Sequence, residues 1–325
     1  MTASCDQPPS RWQDHRTHPM KFRLRTPAKV NLVLEVGPKR KDGFHTIWSI
    51  VDKVSLFDIV TFEPSQEDSV RFHSPWEIPA ENTVSAALEA MRKASPDTPR
   101  VRITVEKHIP PGTGLGGGSS DAACVLKTLS DWWLPSMTQS SLIRIAARIG
   151  SDVPLFLSPG RLAVSGRGER IRQLPAGPPL RYLLALPPFP VNTRESYAEW
   201  DRLHPRPHRL TDFPRMVKMT VPLLRRGDWR ALEPLLHNSL QEASERVRGE
   251  LHGARRALER AWGRRFSQTG SGAALFCLLA PDETPVRELR SPAADGWRFV
   301  AAESWMGEDA QEGALWKLLR SGSRA

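Results

Sequence analysis

The spacing of hydrophobic and polar positions changes several times along this chain, and each change marks a different element. From Lys21 to Val36 the pattern is that of a strand, with Leu32, Leu34 and Val36 alternating with Asn31, Val33 and Glu35. Residues two apart on a strand share a face, so Lys29 and Asn31 project together. Lys39 to Gly43 reads as a turn, with Asp42-Gly43 as its hairpin dipeptide. Two apolar runs, Thr46–Val51 and Val54–Phe62, then predict antiparallel partners. The spacing turns helical over Asn82–Lys93, with Val84, Ala87, Leu88 and Met91 on one side, and strand alternation returns over Val101–Lys107.

That strand runs directly into the segment Pro110–Asp121. Beyond it, Ala122, Val125, Leu126, Leu129, Trp132 and Trp133 predict an amphipathic helix, with Ser119 or Ser120 placed to cap its start. Leu142, Ile145, Ala146 and Ile149 predict another, stopped by Gly150. The proline-rich stretch Pro187–Pro214 is expected to be a connector. Helical spacing resumes over Trp229–Glu242 and Glu250–Trp262. The glycine turn Thr269–Gly272 then precedes an apolar strand, Ala273–Leu279. Strands and helices in blocks, without regular βαβ alternation, imply an α+β protein. A length of 325 residues favours two domains sharing a cleft.

Composition narrows the class. Nothing approaches eighteen consecutive apolar residues, so no membrane span is expected. Residues 1–20 lack the apolar stretch of a secretory signal and read as a disordered polar tail. Cys5, Cys124 and Cys277 are far apart, without a disulfide frame or a CxxC site, which fits a reducing cytoplasm. The formal charge of +10 raises nucleic acid as a partner. The basic residues are nevertheless dispersed and the aromatic signature of an RNA-binding sheet is missing, so a solvated basic surface is the better reading. The same excess suits polyanionic small molecules such as nucleotides. Nothing in the sequence specifies an oligomeric state.

The strongest chemical signal is Pro110-Pro111-Gly112-Thr113-Gly114-Leu115-Gly116-Gly117-Gly118-Ser119-Ser120. Five glycines between Gly112 and Gly118 expose backbone N–H groups and open a helix, whose N-terminus adds free donors and partial positive charge. This is an anion site suited to phosphates. No lysine follows as in a GxxxxGK[ST] loop, and the βαβ unit of a dinucleotide fingerprint is absent. Lys29, in Pro27-Ala28-Lys29-Val30-Asn31, is either a solvated strand lysine or the positive charge for a transferring phosphoryl group. Asp152, in Gly150-Ser151-Asp152-Val153-Pro154, is either an N-cap or a general base. Phe44-His45 is either core and surface or a ligand-stacking pair.

These blocks, in this order, resemble the GHMP kinase superfamily, and most closely its isoprenoid-precursor branch. The likeness is carried by Pro27–Leu32 with Lys41-Asp42-Gly43-Phe44-His45, by Gly114–Ala123, and by Gly150–Pro154, and it covers residues 22–169 best. The resemblance implies a two-domain fold with the active site in the inter-domain cleft. It divides the chain into an ATP-binding domain over residues 21–178 and a C-terminal domain over 179–325. It implies ATP, accompanied by Mg²⁺, as phosphate donor and a cytidine diphosphate-linked methylerythritol as acceptor, phosphorylated on its 2-hydroxyl. An acceptor of the homoserine or mevalonate type is the alternative. By the same resemblance Lys29 and Asp152 are the catalytic pair. Pro110, Pro111, Gly112, Thr113, Gly114, Leu115, Gly116, Gly117, Gly118, Ser119 and Ser120 hold the triphosphate, and Asn82 and Lys107 lie near the nucleotide. Asn31, Phe44, His45, Thr193 and Tyr197 meet the acceptor, with His45 reading the cytosine and Phe44 stacking on it. Phe44 stands where tyrosine is commoner, keeping the ring and losing a hydroxyl. The Mg²⁺ ligands are not readable, with Ser119 or Ser120 as the nearest hydroxyls.

Overall fold

The structure, a computed structural model, describes residues 21–205, 213–283 and 295–306. The tail expected over residues 1–20, Cys5 and residues 206–212 of the proline-rich stretch lie outside these residues. The chain runs β1 (Phe22–Lys39), β2 (His45–Pro64), β3 (Ser69–His73), α1 (Thr83–Ala94), β4 (Val101–Glu106), α2 (Gly117–Trp133), α3 (Gln139–Ile149), β5 (Leu162–Gly166) and β6 (Arg170–Gln173). It continues through β7 (Arg181–Leu186), α4 (Thr193–Leu203), α5 (Phe213–Arg226), α6 (Trp229–Leu232), β8 (His237–Asn238), α7 (Gln241–Val247), α8 (Gly249–Trp262), β9 (Ser267–Gln268), β10 (Leu275–Leu279) and β11 (Arg298–Glu303).

Two sheets organise this α+β fold. The first has the order β3-β4-β2-β1-β8, with β5 and β6 extending from β2; the second has the order β11-β7-β10-β9. Helices α1, α2 and α3 close one face of the first sheet, where Met91, Val125, Leu129 and Leu142 pack with Val60, Phe62 and Ile103. In the second sheet, Leu183 and Ala185 of β7 face Leu251 and Leu258 of α8, while Tyr182, Leu184 and Leu186 face the core shared with the first sheet. Both faces of β7 are covered, which is why its apolar residues run without interruption.

Several sequence expectations need correction. Thr46–Val51 and Val54–Phe62 are one strand, β2, and a register shift opposite Pro27 and Ala28 absorbs Ser55 and Leu56. Asp52 and Lys53 interrupted the apolar pattern, yet both are buried. The helix expected over Trp229–Glu242 is broken. Pro234 cannot continue it, and His237–Asn238 instead pairs in parallel with Val33–Leu34. The proline-rich stretch contains helix α4, capped by Asn192, whose side chain accepts from the backbone N–H groups of Arg194 and Glu195. Gly150 does end α3, but in extended rather than left-handed conformation.

Cys124 and Cys277 are buried free thiols, each pushed up to about 12 by that burial. No helix among the described residues is long and apolar enough to cross a membrane.

A buried polar cluster fastens the two sheets together behind the cleft. Asp52 Oδ2 accepts from Arg161 Nε at 3.0 Å, Tyr182 Oη at 2.7 Å and Ser304 Oγ at 2.6 Å. Arg161 also donates to the carbonyl of Pro178 at 2.7 Å. Burial and the Asp52 charge hold the Tyr182 phenol protonated far above its ordinary range. Removing one member leaves a desolvated charge behind. Arg161→Met is therefore expected to lose about 3–5 kcal/mol of stability, read from urea unfolding; a loss below about 1 kcal/mol would make the ion pair dispensable.

Candidate functional site

The cleft is built where the glycine-rich segment leaves β4 and enters α2. Gly112, Gly114 and Gly116 all have positive φ, which lets the loop fold back against β1. The cap of α2 is Gly116, in left-handed conformation, rather than Ser119 or Ser120, which lie inside the first turn. A side chain at Gly116 has no room, since its Cβ would fall 2.9 Å from the Phe156 ring. No side chain caps α2, so its first N–H groups keep their capacity for an anion. The loop lines a pocket of about 280 Å³ together with Asn82, Lys107, Phe72 and Ile78. A second groove of about 660 Å³ shares Lys107 and Pro110 and extends to Trp76 and Arg298.

Two of the expected nucleotide residues are already engaged by the protein. Asn82 caps α1 by accepting from the N–H groups of Val84 and Ser85, and its amide nitrogen donates to the carbonyls of Pro79 and Ala80. The Lys107 ammonium donates to Asp58 and, at 2.8 Å, to Asp121. Burial works against its charge, but the two carboxylates outweigh that and hold Lys107 above its ordinary value. Burial pushes Asp121 up to about 6 despite Lys107, and Asp58 adds to the rise. Asp58 also accepts from the N–H groups of His108 and Ile109, and Thr26 donates to Asp121 at 2.6 Å. Sequence reading missed Thr26, Asp58 and Asp121 as the anchors of the loop. Only Asp121, directly after the paired serines, carried any signal.

Lys29 and Asp152 are brought together. Lys29 Nζ lies 3.7 Å from Asp152 Oδ2, and the lysine is buried while the carboxylate remains 40% exposed toward the cleft. Burial lowers the Lys29 pKa, with Asp152 pulling in the opposite direction. Asp152 precedes a 3-10 turn over Val153–Leu157 without capping it, so the N-cap alternative does not describe this side chain. The backbone N–H of Lys29 donates to the Leu115 carbonyl at 2.9 Å, which ties the lysine strand to the loop. Lys29 Nζ donates to Asn31 Oδ1 at 2.6 Å, so Lys29 and Asn31 do share a face.

The turn Thr269–Gly272 closes the opposite wall. Ala274 N–H donates to the Thr113 carbonyl, and Thr269 Oγ1 both accepts from the Asn31 N–H and donates to Asn31 Oδ1. Asn238 holds this turn through the carbonyls of Gln268 and Gly270.

Of the residues expected to meet an acceptor, His45 and Tyr197 are brought together between the β1–β2 hairpin and α4, whereas Asn31 lies beside Lys29 and Thr269. The ring of His45 stacks on Tyr197 with centroids 5.2 Å apart and meets Trp200 edge-on at 5.3 Å. Its Nδ1 donates to the Gly37 carbonyl at 3.0 Å, and its Nε2 lies 3.2 Å from Asp201 Oδ1, in poor hydrogen-bonding alignment. Asp201 was not foreseen; an acid in a helical stretch reads as solvated. Burial, and secondarily the charge of Asp152, raise the Tyr197 pKa. Thr193 pairs with Ser271 at 2.7 Å. Phe44 is 49% exposed at the hairpin tip, with the Arg167 guanidinium 4.8 Å from its ring centroid.

Residues 82–160 match the family model of the GHMP kinases N terminal domain. A 4-diphosphocytidyl-2-C-methyl-D-erythritol kinase from Caldanaerobacter subterraneus is 32% identical over 271 residues, covering 82% of this chain and 91% of the relative. The enzyme of that name from Nocardia farcinica is 34% identical over 286 residues, covering 86% of this chain and 88% of the relative. A crystal structure of 4-(cytidine 5'-diphospho)-2C-methyl-D-erythritol kinase superposes with a TM-score of 0.68 at 33% identity, covering 88% of this chain and 100% of the other. A homoserine kinase from Cytophaga hutchinsonii, 17% identical, covers 88% of this chain and 95% of its own with a TM-score of 0.63, and shares the fold alone.

The two glycine turns meet so closely that a methyl group cannot enter. A Cβ on Gly272 would lie 2.0 Å from the Thr113 carbonyl carbon, whereas one on Gly253 in α8 meets nothing within 4 Å. Gly272→Ala is expected to destabilise by about 1–3 kcal/mol, and Gly253→Ala to stabilise by about 0.5–1 kcal/mol. Urea melts of the two variants check both signs.

Proposed function

The chain belongs to the 4-diphosphocytidyl-2-C-methyl-D-erythritol kinase family of GHMP kinases, and from that premise we propose how its cleft performs ATP-dependent phosphorylation in non-mevalonate isoprenoid synthesis. The reaction moves the γ-phosphoryl group of ATP to the 2-hydroxyl of 4-diphosphocytidyl-2-C-methyl-D-erythritol, giving the 2-phosphate and ADP. The observation that carries this reading is the buried Lys29 ammonium 3.7 Å from the Asp152 carboxylate, beside the uncapped start of α2.

In this reading the loop Pro110–Ser120 receives the triphosphate on its backbone N–H groups and on the N-terminus of α2. Asp152 orients the acceptor hydroxyl and takes its proton, and Lys29 neutralises charge on that oxygen and on the transferring phosphoryl group. Asn82 and Lys107 shape the nucleotide pocket through backbone and stem, because their polar ends are committed elsewhere. Tyr197, Phe44 and His45 with Asp201 take the cytosine end, and Thr193 and Asn31 lie along the path between.

Mg²⁺ fits as a companion of the phosphates rather than as a resident of a protein cage. No group of three or more metal-ligating His, Cys, Asp or Glu side chains occurs among the described residues, and Mg²⁺ commonly takes only one or two protein oxygens beside phosphate. Ser119 lines the loop pocket and Ser120 Oγ is buried without a hydrogen-bond partner, so either hydroxyl suits that place. Bound there, the ion offsets phosphate charge.

The second sheet begins at Arg181, which supports a domain division near residue 178, and two buried free thiols support a reducing, cytoplasmic setting. An acceptor of the homoserine or mevalonate type leaves the His45–Tyr197 stack without a purpose.

ADP release measured on the cytidine diphosphate acceptor, against homoserine and mevalonate, tests the assignment. Turnover is expected on the first alone; equal rates in wild type and Lys29→Ala would sink it. Asp152→Asn should fold normally and lose about 10²–10⁴-fold in kcat; near-normal turnover would remove Asp152 from proton transfer. Because burial lowers the Lys29 pKa, raising pH discharges the ammonium below the ordinary lysine value of 10.5, so kcat should fall on the alkaline side before that value. A flat profile through that range would argue against a charged Lys29 in the chemistry.

A further inference from the structure

Asn31 is expected to touch the acceptor, yet every polar atom of its side chain is committed within the protein. Oδ1 accepts from Lys29 Nζ at 2.6 Å and from Thr269 Oγ1 at 3.2 Å, and Nδ2 donates to Ser49 Oγ at 2.8 Å. Ser49 Oγ in turn donates to the Val33 carbonyl at 2.7 Å. Ser49 is 1% exposed, lies on β2 and pairs there with Leu34 of β1.

From this chain of bonds we infer that Ser49 is a positioning residue for phosphoryl transfer, acting on Lys29 through Asn31. The inference rests on the role proposed for Lys29. A hydroxyl has one proton, and the Val33 carbonyl can only accept, so the Ser49 proton is spent on it. Toward Asn31, Ser49 can only accept. The end of the amide facing Ser49 must therefore be the NH₂ group, and the end facing Lys29 must be the carbonyl. The reverse orientation would set amide protons against an ammonium with no lone pair between them. Ser49 thus fixes the direction of the Asn31 dipole, whose negative end supports the buried ammonium. Asp152, the carboxylate facing Lys29, is farther away at 3.7 Å. Thr269, which gives Oδ1 a second donor, favours the same orientation, and Ser49 is the partner that accepts from Nδ2.

Without Ser49, the amide keeps Lys29 only while Nδ2 stays unpaired in a buried place, so the lysine loses a fixed partner. Ser49→Ala should lower kcat about tenfold, the scale of one buried hydrogen bond to a charged group, with KM within about twofold. Ser49→Thr, which keeps the hydroxyl, should recover most of kcat. The combined change with Asn31→Ala should cost no more than Asn31→Ala alone. An independent readout is the titration of Lys29 followed by NMR on lysine Cε-labelled, ligand-free protein, where Ser49→Ala should lower its pKa further. This readout needs no acceptor, so it separates failure of the relay from failure of the substrate assignment. Wild-type kcat and an unmoved Lys29 titration in Ser49→Ala would overturn the inference, as would additive losses in the double variant. Urea melts of each variant separate loss of fold from loss of positioning: a fall in kcat with no change in the Lys29 titration and a matching fall in stability would make Ser49 a structural residue only.

Discussion

Two glycine turns, far apart in the chain, meet backbone to backbone with no side chain between them, and the geometry of the cleft follows from that contact. A Cβ on Gly114 would sit 2.1 Å from the Thr269 carbonyl oxygen, so the segments could not approach this closely with any other residue. Once they touch, Ala274 donates to Thr113, Thr269 reaches Asn31, and the Leu115 carbonyl receives the N–H of Lys29. One contact therefore registers the phosphate loop, the lysine strand and the second sheet together. The glycines lose more conformational freedom on folding than other residues would, and that cost is the condition of the approach.

Buried charge is handled in two different ways on either side of this contact. Lys107 sits between two carboxylates, and Arg161 with Asp52 is ringed by hydroxyls and carbonyls. These are compensated groups whose work is to hold strands and loop in place. Lys29 is buried as deeply, but its nearest carboxylate stands 3.7 Å off and is partly in water. Its charge is supported by one amide dipole and one distant anion, leaving its field directed at whatever enters the cleft. The distinction between a structural and a reactive lysine here lies in the partners, not in burial.

Much of the fold was legible because it follows from local periodicity. The helices near Asn82, Ala122 and Leu142 and the strand that leads into the glycine loop lie close to where their spacing puts them. What stayed hidden depends on distant residues. Asp52 and Lys53 looked like an interruption because the arginine, tyrosine and serine that neutralise Asp52 come from elsewhere in the chain. The break after Leu232 is signalled by Pro234, but the parallel pairing that follows is not. In the site, Lys29 and Asn31 were legible as a shared face, and the glycine loop as an anion cradle. Asp58, Ser49 and Asp201 were not, since an isolated polar residue on a strand or helix reads as solvated until its partner is known.

The two residues of β8 join the first sheet from the far side of the chain, beside Val33 and Leu34 of β1. During synthesis on the ribosome, every strand between β1 and β6 has emerged long before this one. Over that interval Val33 and Leu34 of β1 lack this strand partner, and an unpaired strand edge is the kind of surface that recruits strands from neighbouring chains. Completion of the N-terminal half is thus deferred until Asn238 is made. The order of translation therefore sets when this stretch of β1 gains its partner.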